Sequence, residues 1–189
     1  MSSLVAGYVL LVIGMYSFQI EYNNDYTVAY LAFAFLCGYV INSVGSLLEP
    51  IYYFTIGGKP STRLLDEGEK EHCWLYHLFI PSNTGINKVR FYETKNVRKI
   101  LIKELDGNNL SEDRLFSKAM REVNGNQDSR VPDFNAHYAL SRTILTTVLI
   151  STVLLLISSY SSYWQSYLSI VVLLICWNRY KERAYYYAR

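Results

Sequence analysis

From Met1 to Gly57 the chain carries no lysine or arginine and only three acids, Glu21, Asp25 and Glu49. A stretch of that length without a single cation has no charged face to turn towards water. The other end repeats the pattern in milder form, with five basic residues and one acid after Ala136. Between them, Gly58–Ala136 gathers 13 of the 18 basic and 12 of the 16 acidic side chains. Only 18% of the chain is charged, against ~25% in an average soluble domain. Two greasy ends around one polar middle exclude an ordinary soluble globule, a disordered chain and a secreted disulfide scaffold.

Four apolar runs stand out: Ser3–Ile20, Thr27–Ile56, Leu140–Tyr160 and Trp164–Tyr180. A bilayer is crossed by roughly 17–25 residues of helix, so each run is expected to span, the fourth being short enough to tilt or thin the membrane around it. The first run lacks the basic start and small-residue cleavage site of a secretory signal. The expected fold is an all-α membrane protein with four transmembrane helices, near 3–20, 27–56, 140–160 and 164–180. A small, mainly helical domain lies between helices 2 and 3. The chain divides accordingly into a first hairpin over 1–57, a domain over 58–136, and a second hairpin with a basic tail over 137–189.

Loop charges orient this arrangement. Glu21–Tyr26 has two acids and no base, and Ser161–Gln165 has no charge. The middle segment and the tail, with Arg179, Lys181, Arg183 and Arg189, hold nearly all the cations. Positive residues stay on the cytoplasmic side, which places both termini and the domain in the cytoplasm. Tyr16, Tyr22, Tyr26, Tyr30, Tyr160, Tyr163 and Trp164 then form an outer aromatic belt, and Tyr52, Tyr53, Trp177 and Tyr180 an inner one.

Within the middle segment, Arg90–Leu105 reads as an amphipathic helix. A second helix opens at Ser111-Glu112-Asp113 and ends near Asn124, its acids suiting the helix dipole. Pro132-Asp133 starts a helix able to run unbroken into the third membrane segment.

Two polar stripes cross the apolar runs. Gly38, Asn42, Gly45 and Glu49 share one face of the second helix, with Ser46 beside them. Thr143, Thr147 and Ser151 share one face of the third. Small and hydroxyl residues favour close helix packing and interhelical hydrogen bonds, and an ionisable group near the bilayer faces protein or water. Asn42, Ser46, Glu49, Thr143, Thr147 and Ser151 are therefore candidates for lining a pore or a helix interface, packing being the commoner use. One protomer has too few helices to enclose a pore with both stripes, so a pore implies a homo-oligomer. Lys95, Arg98, Lys99 and Lys103, with Lys88 and Arg90 just before them, form a basic stripe. It suits phosphate groups of a nucleotide or short nucleic acid, anionic headgroups, or plain solvation.

No chemistry-bearing spacing emerges. His72, Cys73 and His77 lack a fourth metal ligand. Gly57-Gly58-Lys59-Pro60-Ser61-Thr62 misses the phosphate-loop spacing, and Cys37, Cys73 and Cys176 form no C-x-x-C pair. No cofactor and no enzymatic activity are expected.

The runs Leu36-Cys-Gly-Tyr-Val-Ile-Asn-Ser-Val-Gly-Ser-Leu-Leu-Glu49, Ile56-Gly-Gly-Lys-Pro-Ser-Thr-Arg-Leu-Leu65 and Asn178-Arg-Tyr-Lys-Glu-Arg-Ala-Tyr-Tyr-Tyr187 resemble small bacterial membrane proteins of anti-phage defence loci. The membrane component of the Hailong system is the nearest type, with those of Kiwa and of cyclic-nucleotide systems as architectural neighbours. The resemblance implies an oligomeric channel, a tetramer by family pattern. It would be gated by a short DNA that a partner nucleotidyltransferase makes. The alternative reading is a non-conducting membrane sensor or scaffold that recruits a cytoplasmic defence partner.

Overall fold

The computed structural model describes residues 2–56, 58–61, 99–100, 102–103, 112–124, 131–158 and 162–188. Every element with regular structure among them is helical. Among the described residues five α-helices have both ends defined: α1 (Ser2–Phe18), α2 (Thr27–Thr55), α3 (Glu112–Asn124), α4 (Val131–Ile157) and α5 (Tyr163–Ala188). One 3-10 turn, Asn24–Tyr26, precedes α2.

Local chemistry sets several ends. Gln19 closes α1 with a left-handed φ of 54°. Asn23 opens the 3-10 turn by accepting from the Asp25 amide at 3.0 Å, and the Thr27 hydroxyl returns to the Asn24 carbonyl at 2.7 Å. These side-chain bonds replace the missing helical ones. Helix α4 is continuous from the polar start at Val131 into the apolar run, as the position of Pro132 predicts. The tail past Tyr180 extends α5 to Ala188 and is not a separate segment.

At 1.5 Å per residue, α2 and α4, of 29 and 27 residues, are about 43 and 40 Å long. Both are long and apolar enough to cross a membrane. Only 22% of the most apolar window of the first, and 39% of the second, is buried in the chain. A core helix of a soluble protein would hide most of that surface. Helix α1, at about 25 Å, falls short of the ~30 Å hydrocarbon core.

The chain forms two compact units. The first comprises Met1–Glu49 and Tyr138–Tyr180. Its helices run alternately up and down. Helices α1 and α2 are antiparallel and touch backbone to backbone. A Cβ placed on Gly7 would fall on the Ala34 carbonyl, and one on Gly38 on the Ser3 carbonyl. At one end Tyr16 donates to Gln165 Oε1 at 3.1 Å, and Ser158 Oγ donates to the Ser17 carbonyl at 3.2 Å. At the other end Tyr138 and Tyr180 pack with ring centroids 5.6 Å apart. Of the aromatic residues expected at the outer interface, Tyr16, Tyr22, Tyr26, Tyr163 and Trp164 are exposed, Tyr30 is half-buried, and Tyr160 lies outside the described residues; of those expected at the inner one, Tyr52 and Tyr180 are buried.

The second unit comprises Pro50–His137 and Lys181–Arg189. Within it α3 is strongly amphipathic. Leu115 is fully buried against Ile102, Phe116 and Ala119, while Lys118 and Glu122 pair on the exposed side at 2.6 Å.

Candidate functional site: a polar network between two apolar helices

The two polar stripes meet. Helices α2 and α4 lie antiparallel in the first unit, and Gly45 lets them close. A Cβ on Gly45 would stand 2.9 Å from Thr146 Oγ1 and 3.6 Å from Arg142 Cγ. On either side of this contact the polar side chains of α2 find partners on α4. Thr143 Oγ1 donates to Asn42 Oδ1 at 3.1 Å, and Arg142 Nη2 approaches the same oxygen at 3.5 Å. Further along, Arg142 Nη1 donates to Glu49 Oε2 at 3.2 Å, and the Tyr138 hydroxyl donates to the other carboxylate oxygen. Tyr180, on α5, shares a hydrogen bond with the Tyr138 hydroxyl at 3.1 Å. The Arg142 guanidinium carbon sits 5.8 Å from the centre of the Tyr138 ring, within reach of a cation–π attraction.

The result is one network spanning three helices: Asn42 and Glu49 on α2, Tyr138, Arg142 and Thr143 on α4, Tyr180 on α5. The side chains of Arg142 and Glu49 are 13% and 24% exposed. Water therefore screens the pair weakly, and each charge depends on the other. Arg142 is a base inside the apolar run starting at Leu140, set opposite the only acid of the α2 run. The polar stripes single out the acid but not Arg142 or Tyr138, and the aromatic belts place Tyr180 at an interface, whereas Tyr180 is fully buried. The available signal was two opposite charges, Glu49 near the C-terminal end of its run and Arg142 near the N-terminal end of its own, which an antiparallel pair brings to one level.

The other stripe residues take simpler places. Thr147 is buried, and its hydroxyl bonds back to the Thr143 carbonyl at 2.8 Å. Thr146 also bonds back, to the Arg142 carbonyl, and the Thr143 hydroxyl shares its one hydrogen between Asn42 Oδ1 and the Ala139 carbonyl. Ser151 is buried on the same face, and its Oγ has no hydrogen-bond partner among the described residues. Ser46 does not join the network. It is exposed, with its hydroxyl on the Asn42 carbonyl at 3.2 Å. Of the basic stripe, Lys99 and Lys103 are exposed on helical residues; Lys88, Arg90, Lys95 and Arg98 lie outside the described residues, as do His72, Cys73 and His77. No cluster of three or more metal-ligating side chains occurs among the described residues.

These features define an all-helical chain with two helices long and apolar enough to cross a membrane, joined by a charged network. Comparison with protein-family models, curated proteins and solved structures finds no match.

Proposed function

We propose that the chain is a multi-pass inner-membrane effector, an oligomeric gated pore whose closed state is held by the Glu49–Arg142 network. The observation that supports this reading is an ion pair bridging two otherwise apolar helices. Charges at membrane depth are costly and are kept where they do a task. A network joining α2, α4 and α5 ties together the elements that a gate must separate. When the contact is made, each charge faces an opposite one, although Arg142 Nε finds no partner among the described residues; when it is broken, both charges need water or another partner.

In this reading all four apolar helices span, with both termini and residues 58–136 in the cytoplasm, as the loop charges suggest. Because α4 runs unbroken from Val131, a ligand or partner acting on the cytoplasmic segment can pull on the Arg142 side of the network. Such a ligand gates only by binding the two states unequally. The anti-phage setting, a partner nucleotidyltransferase and a short oligonucleotide ligand belong to this proposal through the sequence resemblance, with Lys99 and Lys103 among the candidate phosphate contacts.

A second reading is a non-conducting sensor or scaffold. It is favoured by the fact that Asn42 is met by Thr143, and Glu49 by Arg142 and Tyr138, within one chain, so neither needs an aqueous axis. Potassium flux from vesicles separates the two. Reconstituted Arg142→Gln should leak more than the wild-type protein, and the charge swap Glu49→Arg with Arg142→Glu should return flux towards wild type. If the single variant is folded by circular dichroism and neither protein conducts, the pore reading fails and the scaffold stands.

A further inference from the structure

Two buried hydroxyls of the first unit remain once the network is complete. Ser151 on α4 and Ser17 on α1 are 4% and 7% exposed, and neither Oγ has a hydrogen-bond partner among the described residues. Such a group is costly, and folded chains supply it with a partner, often a bound water. Ser17 lies beside the exposed Phe18 at the end of α1, within reach of solvent. Ser151 has no such outlet. Along α4 it lies about 13–16 Å from either end of the Leu140–Tyr160 run, which on the membrane reading proposed above is mid-depth. Thr146, Thr147 and Thr152 each spend their hydrogen on the carbonyl four residues back. Ser151 has the Thr147 carbonyl in the same position and does not bond it, so its hydroxyl points away from its own backbone.

Thr143, Thr147 and Ser151 form a ladder. Each step of four residues advances about 6 Å along the axis and turns about 40°. A water held by two hydroxyls at ~2.8 Å each spans about 5.6 Å, which matches one step. The Thr143 and Thr147 oxygens have donated their hydrogens but keep acceptor capacity, and Ser151 Oγ offers both a donor and an acceptor. The ladder leads to the network. Thr143 shares Asn42 Oδ1 with Arg142, whose Nε is a further buried donor without a partner among the described residues. Glu49 is the more open member of the ion pair. The opposite direction offers no such steps. Leu154 continues the same face, half-buried, and the Ser158 hydroxyl beyond it is engaged by the Ser17 carbonyl at 3.2 Å.

We infer that a file of bound water enters the helix bundle of each copy beside Glu49, follows the Thr143–Thr147 ladder and ends on Ser151. It holds about two waters, one per step. Were the position needed only for close packing, alanine would fill it without a polar group to satisfy. The inference deepens the gating proposal and rests on its membrane reading. Separating Glu49 from Arg142 leaves two ions to be solvated, and water already lodged beside them supplies what opening requires.

Water-edited solid-state NMR of the full, isotope-labelled chain in lipid bilayers tests this, by timing magnetisation transfer from water protons to assigned side chains. Thr152 is the comparison. It is as buried as Ser151 and at the same depth, but its hydroxyl is held by the Val148 carbonyl at 2.8 Å. The expected result is transfer to Ser151 Cβ several-fold faster than to Thr152 Cβ and similar to that at Thr143, with slower transfer to Thr147 in Ser151→Ala. Transfer to Ser151 no faster than to Thr152, or an unchanged Thr147 in Ser151→Ala, overturns the file. Fast transfer to Val171, exposed on α5, removes the membrane reading and the inference with it. Potassium flux keeps the two proposals apart. Fast transfer to Ser151 without flux in Arg142→Gln supports the file and removes the pore. Flux with slow transfer to Ser151 removes the file and leaves the pore.

Discussion

Breaking the Glu49–Arg142 pair should cost far more than its surface-pair geometry suggests. The Nη1–Oε2 distance is 3.2 Å. At an effective dielectric of ~20 this corresponds to roughly 5 kcal/mol of gross attraction, most of which desolvation of the two ions offsets. The net worth of the pair is therefore small beside the cost of leaving one member alone. Arg142→Gln leaves the Glu49 carboxylate with the Tyr138 hydroxyl as its neighbour in the network. Glu49→Gln leaves the guanidinium with Asn42 Oδ1 and the Tyr138 ring. Removing one partner of a buried pair costs ~3–5 kcal/mol; with Glu49 24% exposed, about 2–3 kcal/mol is expected for each single change. The double change Glu49→Gln with Arg142→Gln leaves two neutral amides able to bond each other. It should be less destabilised than the sum of the singles, by about 1–3 kcal/mol. Reversible unfolding of the full chain in mixed micelles, followed by circular dichroism, measures all four corners of the cycle. Single changes costing under about 0.5 kcal/mol, the range of ordinary surface substitutions, and adding without coupling would refute the claim that the pair is weakly screened.

Further expectations follow from particular contacts. Gly38→Ala should destabilise the α1–α2 contact by about 1–3 kcal/mol or more, because the new Cβ meets backbone of Ser3 that no rotamer change can clear. Gly14→Ala, with nothing within 4 Å of its Cβ, should stay within about 0.5 kcal/mol of wild type in the same micelle assay. On α3, the hydrogen bond from Lys118 holds the Glu122 carboxyl below its ordinary value, helped by the charges of Lys118 and Arg121. Because this value is depressed in the folded chain, the contribution is present above the unfolded carboxyl value and disappears as pH falls through the folded one. Carbon-detected NMR titration should show the Glu122 midpoint rising in Lys118→Ala; an unchanged midpoint would contradict the assignment. Tyr138→Phe removes the hydroxyl shared by Glu49 and Tyr180. It should lower thermal stability while leaving helix content unchanged, whereas Tyr163→Phe, exposed at the end of α5, should do nothing measurable.

Much of the fold was legible because hydropathy and chain punctuation act locally. The α2 boundary at Thr27 follows from the Asn23-Asn24-Asp25 turn, and α3 begins and ends where its acids and the Asn124-Gly125-Asn126 turn predict. The unbroken α4 follows from Pro132, which suits only a helix start. The basic tail, for which the charges alone indicated no secondary structure, continues α5 as helix to Ala188, since charged residues such as Lys, Glu and Arg are good helix formers. In the candidate site, the faces were legible but their partners were not. Periodicity places Asn42, Gly45 and Glu49 on one side of a helix. It says nothing of which helix they meet, because any antiparallel neighbour offers a stripe at the same spacing.

The sequence by itself determined that this chain is helical, that its ends are apolar, and which residues stand on which helix face. Those properties depend on neighbours three and four residues away. The tertiary structure alone decided that Glu49 meets Arg142 and Tyr138, some 90 positions distant, and that Ser46 turns away from them. That choice rests on helix register and on the close approach Gly45 permits, quantities that exist only once two helices have packed.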